Sequence, residues 1–159
     1  TASRAEKKVR DRLEELGVEC FLPVQTVLRQ WTYRKSRVVV PVIAGLVFVR
    51  VGRQEQVKVL QTKGVVAFLR LKGEAGAAVI PDKQMEDFRF LLDFSEEAVE
   101  MTNENIKAGD LVRVMKGSLR GMEGELIRHK GVTKVLVRID MLGCAMVNIP
   151  ASFVEKLNK

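Results

Sequence analysis

Residues 109–124 read GDLVRVMKGSLRGMEG. Four glycines, Gly109, Gly117, Gly121 and Gly124, fall within these sixteen residues. Between the first two, Val112 and Val114 alternate with Arg113, the period-two pattern of a strand with one face buried. Gly117 and Gly121 bracket a tight Ser118-Leu119-Arg120 loop, where positive φ or a close backbone approach is expected. Gly124 permits a sharp re-entry into a second strand. EGELIRH, KVLVRID and AMVNIP follow as short strand-like runs separated by glycine-bearing turns, and Pro150 and FVEKL close the chain. This spacing predicts a small barrel, which removes sheet edges by closing on itself.

Upstream the pattern changes. In SRAEKKVRDRLEELG, Ser3 and Glu6 have capping-box spacing. Ala5, Val9, Leu13 and Leu16 recur at helical intervals, and Gly17 suits a left-handed stop. Arg4, Lys7, Lys8 and Arg12 occupy the opposite face. VECFLPV reads as a short strand ending at Pro23, and TVLRQWTYRKSRVVV as a strand, a basic tip and a returning strand. LVFVRV, residues 46–51, has the composition of a buried strand. VKVLQTKG predicts a short helix and VVAFLRL another strand. Pro81 and Asp82 open a second helix, DKQMEDFRFLLDF, whose apolar face carries Met85, Phe88, Leu91 and Leu92. SEEAVEMTNENIKAG has no apolar periodicity and reads as a linker. Charge agrees with that division. Residues 1–95 carry +6, residues 96–107 carry −3 and residues 108–159 carry +4. The expected organisation is an amino-terminal domain over 1–95, an acidic linker over 96–107 and a barrel over 108–159.

The net charge of +7 favours a polyanionic partner such as nucleic acid. Cys20 and Cys144 form no CxxC pair, and His129 is the sole histidine, so no zinc site assembles by the usual spacings. Two buried thiols in a reducing compartment are expected. The most apolar run, VVVPVIAGLVFV at 38–49, is shorter than the ~18–20 residues a bilayer span needs. With no signal peptide at the start, a soluble cytoplasmic monomer without a membrane partner is expected. No catalytic constellation or phosphate-binding loop is present, so no enzyme activity, cofactor or metal is expected.

The 109–124 unit resembles the KOW motif in Gly109-Asp110, in Val112 and Val114, and in Gly117, Gly121 and Gly124. KOW units build SH3-like barrels in ribosomal proteins and in NusG-family transcription elongation factors. Here Ser118-Leu119 stand where the family often has proline and phenylalanine. The amino-terminal order of helix, GVECFLPV strand, basic hairpin, PVIAGLVFV and TKGVVAFL resembles the NusG amino-terminal domain. That family's P-L-x-P-G-Y-x-F-V segment corresponds to Pro41 through Val49, without the proline before Gly45 or the tyrosine after it. Family members usually open with an aromatic-rich strand before the helix. This sequence starts at Thr1-Ala2-Ser3, as if that strand had been trimmed or lost, which would expose a groove in the sheet unless something fills it.

The resemblance implies an α+β fold: a NusG-type antiparallel sheet with flanking helices, then a small SH3-like barrel. It implies that Pro41, Ile43, Ala44, Gly45 and Leu46 belong to the apolar surface that grips the clamp helices of RNA polymerase; strand alternation places Phe48 in the core and leaves Ile43 and Leu46 as contact residues or simply buried. The resemblance places Arg4, Lys7, Lys8 and Lys63 near non-template DNA or nascent RNA. Trp31, Arg34 and Lys35, beside Arg29 and Arg37, form either a nucleic-acid-contacting tip or a solvated turn with Trp31 packed on its own domain. Leu119 is the candidate contact for a ribosomal protein or termination factor. QTVLRQWTYRKSR resembles the specialised antiterminators of the RfaH and UpxY type, the latter linked to polysaccharide operons, although general NusG proteins carry a similar stretch. A ribosomal KOW-type RNA-binding protein is the other function class. The glycines and β-branched residues of 109–149 argue against refolding of the barrel into a helical hairpin.

Overall fold

A computed structural model describes residues 1–70 and 72–157. The chain divides into two compact units, Thr1–Ala78 and Val79–Lys159. The fold class is the expected one: α+β with antiparallel sheets, ending in a six-stranded sheet compatible with a small barrel.

In the first unit, α1 (Glu6–Glu15) buries Val9 and Leu13, one turn apart, against Val18 and Val59. Val47, Val49, Val51, Val65 and Phe68 pack around that cluster. The helix ends as predicted, with Gly17 at φ 75° and Val18 N–H donating to the Leu13 carbonyl at 3.0 Å. Its start differs. Ala5 sits at the cap and no side chain caps the helix. The expected Ser3–Glu6 box does not form, because the Glu6 carboxylate accepts from Gly45 N–H instead, at 2.9 Å.

β2 (Val24–Trp31) and β3 (Arg34–Pro41) form the expected basic hairpin, in register from Trp31↔Arg34 to Val24↔Pro41. β1 (Glu19–Phe21) pairs with β4 (Phe48–Arg50), from Glu19↔Arg50 to Phe21↔Phe48. The same two stretches of chain make both pairs. Only Leu22 and Pro23 separate β1 from β2, whereas Val42 to Val47 separate β3 from β4. Val42 N–H still donates to the Pro23 carbonyl at 2.8 Å. The result is one long ribbon, interrupted on one strand by an apolar bulge.

Two expectations fail here. LVFVRV is only half-buried apart from exposed Arg50, and only Phe48–Arg50 are paired. Val47, Val49 and Val51 face the α1 cluster, while Phe48 turns away and stacks on Phe21, with ring centroids 6.1 Å apart. Phe48 is therefore not a core residue. Residues 65–70 of the VVAFLRL segment form no strand, and Leu71 lies outside the described residues. α2 (Glu55–Leu60) supplies the buried Val59.

The second unit begins with α3 (Asp82–Phe94), the helix read from sequence, which buries Phe88 and Leu91 completely. It packs on β8 (Val132–Ile139), and Gln84 exchanges two hydrogen bonds with Asp140, at 2.9 and 2.8 Å. With β5 (Glu100–Thr102), β6 (Asp110–Val114), β7 (Glu123–His129), β9 (Gly143–Asn148) and β10 (Val154–Lys156), the sheet order is β10-β6-β7-β8-β9-β5. The acidic 96–107 segment thus contains a strand. β5 pairs with β9 from Glu100↔Met146 to Thr102↔Cys144, Val99 is buried, and Ile106 packs on Ile127, Leu136, Cys144 and Met146. Val135, Val137, Ala145 and Val147 bury the opposite side of the sheet.

Candidate functional site

The bulge is built from uncharged residues. Pro41, Ile43, Gly45 and Leu46 are half-buried and Ala44 is exposed. Gly45 adopts φ 75°, the left-handed region that suits glycine. Its N–H donates to Glu6 Oε1 at 2.9 Å, and its carbonyl accepts from the Thr1 nitrogen at 2.7 Å. Glu6, on the first turn of α1, is only 8% exposed. No titratable group lies within the bulge, so its chemistry is apolar contact.

The hairpin combines charge with aromatic surface. Trp31 is 54% exposed and Tyr33 97% exposed. Trp31 Nε1 donates to Ser36 Oγ at 2.7 Å, which satisfies the indole edge and leaves the ring at the surface. By register, Arg29, Arg34 and Ser36 share the Trp31 face, while Lys35 and Arg37 share the other face with Leu28 and Val39. No Asp or Glu occurs between Glu19 and Glu55. Trp31 is therefore about half exposed on a hairpin whose charged residues are all basic.

The basic groups near α1 separate into two sets. Lys7 Nζ donates to the Val39 carbonyl at 2.9 Å and leans towards the hairpin. Arg12 Nη1 donates to the Lys63 carbonyl at 2.7 Å, which ties the Lys63 loop to the helix. Arg12 lies four residues after Lys8, so Lys8, Arg12 and Lys63 share one flank. Exposed Arg4 precedes the helix at φ 58°.

In the 109–124 unit, Val112 and Val114 are buried as the alternation predicts. A side chain at Gly109 would overlap the Leu126 carbonyl, and one at Gly124 would come within 2.9 Å of the Leu136 carbonyl. Gly117 and Gly121 have φ of 84° and 93°. That curvature turns the loop inwards: Gly121 N–H donates to the Val114 carbonyl at 2.8 Å, and Met122 N–H to Leu119 at 3.0 Å. Leu119 is consequently 6% exposed, a core residue and not the exposed loop tip expected from the sequence. The exposed apolar side chains of β6 and its end are Leu111 and Met115. Asp110 is exposed, with Lys156 Nζ 3.5 Å away.

In the second unit, two ion-paired groups tie elements together. Arg138 donates to Glu125 at 2.7 Å and to the Ile106 carbonyl at 2.7 Å, while Glu125 accepts from Gly109 N–H at 3.1 Å. Lys134 reaches Glu100 at 2.7 Å, and this hydrogen bond pulls the Glu100 carboxyl below its ordinary range. Burial raises both the Cys20 and the Cys144 thiols, which disfavours the reactive thiolate. Among the described residues no group of His, Cys, Asp and Glu could hold a metal ion. Nor is any described helix long and apolar enough to cross a membrane.

A family model described as "Transcription termination factor nusG" matches residues 1–89, more than half of the chain. The chain belongs to the NusG family. NusG proteins are transcription factors. A comparison with curated proteins found no match. Among solved structures, a chain from "Crystal Structure of MjSpt4:Spt5 complex conformation B" is 18% identical, with 100% of this chain and 94% of that chain covered and a TM-score of 0.24, too slight a likeness to carry an argument.

Three features of this NusG-family chain escaped the sequence. Ser36 gave no signal as the partner of Trp31. Glu6 was visible only as a capping residue. Arg12 was one charge among several until the Lys63 loop was seen to rest on it.

Proposed function

We propose that this NusG-family protein is a transcription elongation and antitermination factor that binds the clamp helices of RNA polymerase through Pro41, Ile43, Ala44, Gly45 and Leu46. The observation that carries this reading is the uncharged bulge, whose Pro41, Ile43 and Leu46 are half-buried with Ala44 exposed and lie outside the buried cluster of their unit. Bridging the polymerase cleft would favour the closed clamp over the open, paused state, and pausing falls in proportion to that differential affinity. Arg4, Lys7, Lys8 and Lys63, with Trp31, Arg34 and Lys35 on the ribbon, contact non-template DNA or nascent RNA by phosphate pairing and stacking. The barrel recruits a ribosomal protein or termination factor through exposed Leu111 and Met115, since Leu119 is buried. The RQWTYRKSR ribbon supports a specialised, operon-specific role in polysaccharide biosynthesis over a general one. The setting is the cytoplasm, and the protein acts as a monomer on polymerase.

The test is capture from host lysate with tagged protein at two salt concentrations, beside an Ile43→Asp/Leu46→Asp variant. Polymerase large subunits retained by the parent at the higher salt and lost with the variant are expected. Retention by the variant overturns the bulge assignment. Ribosomal particles alone, released by salt, would instead favour a ribosomal RNA-binding protein.

A further inference from the structure

We propose that Glu6 is a positioning residue: its carboxylate holds the 42–47 bulge in the conformation that presents Ile43 and Leu46. This rests on reading the bulge as the polymerase contact.

The ribbon by itself does not fix the bulge. Two residues on one strand stand opposite six on the other, so the pairing that holds β2 to β3 and β1 to β4 stops on either side of it. After Val42, the Gly45 N–H is the bulge amide with a long-range side-chain partner among the hydrogen bonds described, and that partner is Glu6, 39 residues away in sequence. The acceptor is well placed for this task. Glu6 is almost fully buried, on a helix anchored by Val9 and Leu13, and it makes no ion pair among the described residues. A buried carboxylate without an ion pair is costly unless hydrogen bonds satisfy it. Here one oxygen accepts the Gly45 amide, and its place on the first turn of α1 sets the charge against the positive end of the helix dipole. A hydrogen bond to a charged acceptor is stronger and more directional than a neutral one. Glycine at φ 75° lets the chain turn at that point, where the Glu6 carboxylate holds its amide and the Thr1 nitrogen its carbonyl.

The experiment compares the parent with Glu6→Ala, Glu6→Gln and Ile43→Asp by amide hydrogen exchange and by affinity for purified RNA polymerase. In Glu6→Ala, Gly45 exchange should accelerate on the order of tenfold or more, with Val9 and Leu13 unchanged, as expected for loss of a charge-assisted bond. Polymerase affinity should fall by about tenfold in the same variant. Glu6→Gln keeps a carbonyl acceptor without the charge and should recover part of both losses. Unchanged Gly45 exchange in Glu6→Ala overturns the proposal. Equal acceleration at Val9 and Leu13 also overturns it, because Glu6 would then serve the whole fold. So does faster Gly45 exchange with full affinity, provided Ile43→Asp binds weakly. If Ile43→Asp binds as the parent does, it is the contact reading that fails, and Gly45 exchange alone decides whether Glu6 orders the bulge.

Discussion

Two apolar stretches of this NusG-family chain meet opposite fates. VVVPVIAGLVFV, residues 38–49, is the most apolar run in the sequence, yet none of its residues is fully buried. VTKVLVRI, residues 132–139, includes a lysine and an arginine, yet Lys134, Val135, Leu136, Val137 and Ile139 are all buried. The difference is position in the sheet. β8 is interior to six strands, and both of its faces are covered. The ribbon has two strands, and on one face of β4 a core of its own. Apolar composition therefore leads to two outcomes: a core where neighbours exist to cover it, and a partly accessible surface where they do not.

The comparison breaks first on stability. Leu136→Ala should destabilise the second unit by about 2–5 kcal/mol, the range for emptying a packed core site. Leu119→Asp should cost a similar amount, on the order of several kcal/mol, because the side chain plugs the barrel. Ile43→Ala should cost no more than about 1 kcal/mol, as for a side chain still in contact with water. Denaturant unfolding of the whole chain measures all three. An Ile43→Ala cost equal to that of Leu136→Ala would make the bulge a core element.

The ribbon offers a sharper probe, since Trp31 is the one tryptophan in the chain. Adding single-stranded oligonucleotide should quench its fluorescence, and Trp31→Ala should weaken binding by about 1–3 kcal/mol, the usual worth of a base–aromatic stack. Ser36→Ala frees the indole edge and should blunt the quench while leaving the charge attraction. Binding without quenching would confine the interaction to phosphates and remove Trp31 from the interface.

What the sequence conceals follows one physical rule. Features set by neighbours within a few residues were legible: α3 over Asp82–Phe94, the Trp31–Arg34 turn, and the alternation of Val112 and Val114. Features set by distant partners were not. Glu6 has ideal capping spacing from Ser3, but an amide 39 residues away takes its carboxylate. The acidic 96–107 segment looks like a linker because Val99, Met101 and Ile106 are too sparse to show a period, yet β9 supplies a ladder for β5. Leu119 sits in a loop by any local rule, and only the inward turn between Gly117 and Gly121 reveals its burial. The basic ribbon of the candidate site was legible as charge, but not the Ser36 bond that holds its aromatic group outward.

The smallest expected effect concerns that docked acidic segment. The Lys134 hydrogen bond, ahead of the opposing effect of burial, draws the Glu100 carboxyl below its ordinary range. The folded state thus holds the carboxylate more firmly than the unfolded chain does. At pH values around the unfolded carboxyl's range the unfolded state binds more protons, so stability rises with pH there. The contribution is complete above the ordinary carboxylate range and is lost as pH falls through the depressed folded value. Glu100 is about half exposed, with a side-chain exposure of 46%, so solvent screens the pair and the effect is modest. It should appear locally, as reduced protection of the Met101 and Thr102 amides relative to their intrinsic exchange on acidification, while the amides of Val135 to Val137 stay protected. Lys134→Met keeps the buried stem and removes the charge. In that variant the acid-dependent loosening of β5 should disappear, leaving β5 equally loose at both ends of the pH range. Persistence of the full pH dependence in Lys134→Met would mean that the Lys134 hydrogen bond is not what holds the strand in place.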